Sequence, residues 1–243
     1  MKTMLSAYQK SSLWIWLAIA VAAVAIAPLL LSDFRLSLLA KYMCLAMVAV
    51  GIGLAWGQGG MLTLGQGLFF GLGGYMMAMH LKLTDVGPGG VPDFMMLYGN
   101  GEVPGWWEPF RSPVLTVILI LVVPAATAFL LGWAVFARRV RGAYFAILSQ
   151  ALVAAFSLWL VNQGTSTGGF NGLTDFKGFF GYSLKDPANK RMLYFIAATV
   201  LIGMVLLTRQ IMRSRFGDLL VAVRDQENRV RFLGYNPAII KTV

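Results

Sequence analysis

The sequence predicts an all-α protein: a polytopic transmembrane helical bundle of about six spans, with one amphipathic helix on its cytoplasmic side. Three observations predict it. Apolar residues make up 58% of the 243 residues and charged residues 12%, about half the charged share of an average soluble domain, roughly 25%. Mean hydropathy is +0.71. The apolar residues gather into long runs, and the net charge of +10 sits on one side of the membrane that those runs define.

Residues 13–31 form the first run, behind Lys2 and Lys10. It is longer than a signal-peptide core, and Pro28 directly follows the Ala25-x-Ala27 match to a cleavage site, so it reads as a retained span. Residues 36–56 form a second span, interrupted by Lys41; residues 68–81 a short, glycine-laced third; residues 113–136 a fourth, carrying Pro124; residues 143–161 a fifth; and residues 191–208 a short sixth. A helix needs about 20 residues to cross the hydrocarbon. The length therefore suits one membrane domain over residues 1–243. After Pro237 another apolar run begins.

The positive-inside rule orients these spans. With the N-terminus in the cytoplasm, the cytoplasmic segments hold twelve Lys/Arg against three acids, and the outer segments seven of each. The basic excess is then a topology signal, and nucleic-acid binding is not needed to explain it. The outer loop, residues 82–112, contains Trp106 and Trp107, expected to sit in the interfacial aromatic belt or to help receive a partner on the outer face.

No Asp or Glu lies inside a span. Ion-coupled pumps use buried ionisable groups, so energy is expected from outside the membrane domain. Lys41 is placed to snorkel to the outer interface. Two segments break the helical pattern: residues 57–67 (GQGGMLTLGQG) and 162–174 (NQGTSTGGFNGLT). Irregular backbone at membrane depth is tolerated where it is buried in protein or lines a wet cavity, and such breaks point to a binding path. Gln58, Thr63 and Gln66 in the first, and Asn171 in the second, offer hydrogen bonds without charge, which suits a small neutral solute. Both segments also read as plain surface turns. Gly53…Gly57 and Gly67…Gly71 match the small-xxx-small helix-packing pattern. The single cysteine, Cys44, has no partner for an intrachain disulfide, His80 has no acid or cysteine at ligand spacing, and there is no P-loop or nucleophile motif. The chain therefore reads as a non-enzyme without metal or cofactor.

Residues 214–236 form a charged amphipathic helix behind the sixth span. Leu219, Val223, Val230 and Leu233 share a face with Gln226, and Asp225→Arg229 and Glu227→Arg231 are acid-then-base pairs at i,i+4. Asp218 complements a helix N-terminus, and Gly234 with Pro237 marks the stop. The pattern fits a docking site for a soluble partner or an ordinary solvated connector.

The segments GQGGMLTLGQGLFFGLGGYMMAMH, RGAYFAILSQAL, TGGFNGLTDF and GDLLVAVRDQENRVRFLGYNP together resemble permease subunits of the branched-chain amino acid ABC-importer family, and more narrowly the second permease subunit of the urea importer. The family's turn before Phe-Phe-Gly carries a serine where this chain has Thr63. Its coupling segment reads Ala-Ile-Arg-x-x-Glu-x-Ala-Ala, matched by Ala222, Val223, Arg224 and Glu227, with Arg229 and Val230 in place of the alanine pair. The ending Arg229-Val230-Arg231-Phe232 leans toward urea. The resemblance implies an inner-membrane permease for urea, or for a branched-chain amino acid. Its partners would be a second homologous permease subunit, two cytoplasmic ATPases and a periplasmic solute-binding protein. Gly217, Ala222, Arg224, Glu227 and Gly234 would be the coupling positions. Family members continue for two or three more spans, so the bundle is expected to be incomplete, with a groove and with its last residues projecting from the coupling helix. A passive channel for small neutral solutes is the rival from another class; it has no use for the charged helix.

Overall fold

The computed structural model describes Ile15, residues 18–138, Val140 and residues 142–242. Among these, four helices are long and apolar enough to cross a membrane: Asp33–Gln58, Pro113–Ala137, Tyr144–Asn162 and Pro187–Met212. A shorter apolar helix, α1, covers Ala18–Leu30. The others follow in order: α2 (Asp33–Ile52), a π-helical turn (Gly53–Gln58), α3 (Gln66–Val86), α4 (Asp93–Tyr98), a 3₁₀ turn (Gly105–Arg111), α5 (Pro113–Ala137), α6 (Ala143–Asn162), α7 (Gly164–Thr167), α8 (Pro187–Met212), α9 (Arg215–Phe232) and α10 (Pro237–Thr242). The second, fourth, fifth and sixth expected spans reappear within a few residues, because each is a long apolar run bounded by polar or glycine-rich sequence; the third reappears as the helix α3, which is not among the four long apolar helices. The first lies partly outside the described residues.

The chain forms two units. The first comprises residues 1–47 and 185–204. Leu36, Tyr194 and Ala198 are buried there. Tyr194 Oη donates to the Val24 carbonyl at 3.1 Å, and Arg191 approaches Asp33 at 3.9 Å. Lys41 is exposed on α2.

The second unit comprises residues 48–184 and 205–243. Here α3 packs along α5, and its lower-hydropathy end meets the 3₁₀ turn. Met76, Met79 and Leu83 of α3 join Met95, Trp107 and Phe110 in one core cluster. Trp107 is fully buried, which corrects its expected place in an interfacial belt. Pro104 caps the short turn that carries this ring and Pro109 lies within it, while Trp106 remains about half exposed. His80 is buried against the same turn, with Nδ1 2.7 Å from the Phe110 carbonyl oxygen and its ring 4.9 Å from Phe180. Phe180 and Gly181 form the tip of a two-residue hairpin between Gly178–Phe179 and Tyr182–Ser183, both with positive φ, as a tight hairpin turn requires. Asp85 fixes that hairpin by accepting from the amides of Lys177 (2.8 Å) and Gly178 (3.1 Å).

Of the two small-xxx-small pairs, one packs. A Cβ on Gly67 or Gly71 would touch Val153 or Phe156 of α6, whereas Gly53 and Gly57 face open space. The π-helical turn removes the second pair from regular helical phase, so its glycines no longer line one stripe.

Candidate functional site

The break at residues 57–67 is built by that turn. α2 widens into π geometry at Gly53–Gln58. Gly59 N–H reaches back to the Leu54 carbonyl and Met61 N–H to the Ala55 carbonyl, at 3.2 and 3.0 Å. Single π turns are frequent where a helix serves a site. Irregular backbone then leads to Gln66, where α3 starts. Ser149 of α6 pins the far end: its Oγ accepts from Leu64 N–H at 3.1 Å and donates to the Ala146 carbonyl at 2.9 Å. Thr63 Oγ1 accepts from Gly65 N–H at 3.2 Å.

Beside this segment lies a cavity of about 290 Å³. Ala55, Met61, Thr63 and Gly65 line it from the break, with Leu68 and Phe69 of α3, residues of α5 and α6, and Lys241 and Thr242 of α10. The lining is chiefly aliphatic and aromatic, with Thr63, Ser149 and Thr242 as hydroxyl residues and Lys241 as the one cation among its residues. Of the four expected path residues, Thr63 alone borders the cavity. Gln58 and Gln66 are half-buried nearby in sequence but outside its lining. Asn171 is exposed on a 3₁₀ turn (Gly169–Asn171). That turn lies beyond the end of α6, whose Leu152 already marks the cavity's limit along that helix. At 1.5 Å per residue the ten residues from Leu152 to Asn162 span about 15 Å. Sequence reasoning missed Ser149 and Lys241. A lone serine in an apolar helix carries no periodic signal, and Lys241 registered only as topological charge.

The expected amphipathic helix is α9, but it bends. Gln226 has φ −149° and ψ 70°, outside helical geometry. Gly217, Leu220, Val223 and Val230 are buried, Val223 and Val230 as expected, while Leu233, expected on the apolar face, is the C-cap residue beyond the last helical turn and is 75% exposed, and Phe232 is 90% exposed. The bend breaks the expected Asp225→Arg229 pair. Asp225 Oδ1 instead accepts from Arg224 Nε at 2.8 Å. The second pair forms: Glu227 holds Arg231 at 2.7 Å and, through its other oxygen, Lys241 at 3.0 Å. Arg224 Nη1 donates to the Gly57 carbonyl at 2.5 Å. Ala222 is exposed. Gly217 is a close-approach position, where a Cβ would stand 2.6 Å from the Ile211 and Met212 carbonyl oxygens. Gly234, at φ 88°, closes the helix, with Tyr235 N–H reaching the Val230 carbonyl at 3.3 Å in the usual glycine-terminated cap.

The last described residues do not project as expected. α10 packs against α5 and α9, because Pro237 and Ile240 are buried and Lys241 is held by Glu227. Lys241 Nζ also lies 5.9 Å from the Phe136 ring.

Residues 34–243 match the family model for the branched-chain amino acid transport system / permease component. The chain belongs to that family. Its members are transport permeases rather than enzymes, and the helical architecture makes this permease a multi-pass membrane protein. It is similar to the high-affinity branched-chain amino acid transport system permease protein LivM of Salmonella typhimurium, 27% identical over 242 residues, covering 90% of this chain and 50% of that protein. It is also similar to LivM of Escherichia coli, 25% identical over 237 residues, covering 88% and 49%. The permease chain thus spans about half the length of these curated relatives. No solved structure matches it.

Proposed function

We propose that this chain forms part of the translocation path of an ATP-driven importer in the bacterial inner membrane, with its N-terminus in the cytoplasm, and that the solute is a branched-chain amino acid. The carrying observation is the cavity beside the broken segment. Its aliphatic and aromatic walls suit an aliphatic side chain, and the hydroxyls of Thr63, Ser149 and Thr242 with the Lys241 ammonium are the polar groups available to an amino acid's polar end. Urea is polar on every edge, and most of its hydrogen bonds would go unmatched against such walls, at a cost of a few kcal/mol. The Arg229–Phe232 stretch that leans toward urea has a packing explanation: Val230 fills the α9–α10 core and Arg231 pairs with Glu227. The branched-chain amino acid role of the LivM relatives supports the same choice.

In this reading the chain works with a second homologous permease subunit, two cytoplasmic ATPases and a periplasmic solute-binding protein. The ATPases push on α9, which offers Ala222, Phe232 and Leu233 outward. Thr63 contributes to the path directly, Gln58 and Gln66 by supporting the break, and Asn171 at most at the opposite end.

The test is uptake of labelled leucine and labelled urea by cells with and without the gene for the full-length permease. Deletion is expected to abolish ATP-dependent leucine uptake and spare urea. Loss of urea uptake alone reverses the substrate assignment, and permease-dependent flux that needs no ATP removes the importer reading.

A further inference from the structure

We infer that Arg224 is a positioning residue, a tether that carries movement of the cytoplasmic helix into the wall of the cavity through the carbonyl of Gly57. The inference rests on the permease reading above and adds a transmission route to it.

Three observations converge on this contact. First, the guanidinium does not simply face solvent. Nη1 donates to the Gly57 carbonyl at 2.5 Å, and Asp225 Oδ1 orients the same group through Nε at 2.8 Å. The Gly57 carbonyl belongs to the π-helical turn, where regular i→i+4 pairing has been given up. A charge-assisted bond to it is stronger than a neutral one. Second, the chain makes room for the arginine stem. Gly60 has φ +64°, and a Cβ there would stand 2.5 Å from Arg224 Cγ and 3.2 Å from its Cβ. The stem therefore crosses the backbone at a glycine, where any Cβ would collide with it. Third, the tethered segment is the cavity wall. Ala55 lies two residues before Gly57, and Met61 and Thr63 follow Gly60 at once.

The wall between the two fixed points is short. Arg224 holds its start from α9, and Ser149 holds Leu64 at its end from α6. A displacement of α9 relative to α6 must then strain or move residues 57–64, which include Met61 and Thr63. The bend at Gln226 separates this contact from the Glu227–Lys241 contact. The polar contacts of the two halves of α9 therefore go to different elements, the π-helical turn and α10, while Leu220 and Val223 share a core cluster with Ile240 of α10.

The experiment uses the full-length permease in its assembled transporter, in a Cys44→Ala background carrying Met61→Cys. It reads two quantities: the rate of labelling of the introduced thiol by a water-soluble maleimide, and solute imported per ATP hydrolysed. Arg224→Gln is expected to raise the labelling rate about tenfold, the scale of losing a charged hydrogen bond, and to lower the import-to-hydrolysis ratio while hydrolysis continues. Arg224→Lys, which keeps a donor on a stem of similar path, is expected to restore part of both. Asp225→Ala removes only the orienting carboxylate and gives a smaller shift in the same direction; it decides the matter if Arg224→Gln fails to reach the membrane. An unchanged labelling rate and an unchanged ratio overturn the tether. Labelling needs no assumed solute, so wild-type protein that imports no leucine refutes the substrate reading and leaves the tether to be decided by the thiol.

Discussion

Trp107→Ala is expected to destabilise the protein by about 4 kcal/mol, in the usual range for removing a buried aromatic ring. The ring is fully buried and sits between Met76, Met79, Leu83 and Met95, so its loss leaves a hole where α3, α4 and the 3₁₀ turn meet. Its Nε1 has no hydrogen-bond partner, so the indole contributes through packing, and Trp107→Phe is expected to recover most of the loss. Thermal unfolding in detergent gives the comparison. If alanine costs no more than the exposed Trp106→Ala, the ring belongs in the aromatic belt after all.

Glu227→Arg is expected to have the next largest effect. The carboxylate is only 15% exposed and holds both Arg231 and Lys241. Reversing its sign places three cations together and frees α10 from α9. Breaking a buried pair costs roughly 3–5 kcal/mol. Partial exposure of Arg231 screens this one, so about 2 kcal/mol is expected here. In the assembled transporter, ATP hydrolysis should persist while uptake is lost. The double exchange Glu227→Lys with Lys241→Glu should recover stability, because it restores that contact with its sign inverted. Coupled uptake at the wild-type level in Glu227→Arg would exclude any role of this contact in transmission.

The spans were legible because burial in lipid imposes a length and a composition on every one of them. The break at residues 57–67 was legible as a cluster of glycine and amide residues against apolar flanks. Its mechanism was not, since π geometry depends on which carbonyls are left for Arg224 and the following amides to satisfy. The bend at Gln226 escaped for a similar reason. Periodicity assigns one regular helix to the whole run, and neither the break at Gln226 nor the helix's end at Phe232, which leaves Leu233 as an exposed cap, is marked in the apolar pattern. Glu227–Arg231 was readable as a local i,i+4 pair, whereas Lys241, the other partner, lies fourteen residues on and is brought back by the turn at Gly234. Trp107 was misplaced because two adjacent tryptophans beside a span look alike in sequence, although backbone direction sends one inward and one out. Asn171 shows the converse limit: polar residues in a break can belong to the opposite end of the helix from the cavity.

The proposed function puts the cavity between the broken segment, α5 and α6 on the solute's route, and Ala128→Trp fills it. Ala128 borders the cavity from α5, is no glycine and makes none of the contacts that tie α9, α10 or Ser149 in place, so the new ring occupies the space and leaves the fold's polar contacts standing. Leucine uptake by the assembled transporter is expected to fall at least about tenfold, which corresponds to roughly 1.4 kcal/mol, with membrane abundance and ATP hydrolysis retained. Wild-type uptake with the cavity filled would contradict the claim and place the route elsewhere.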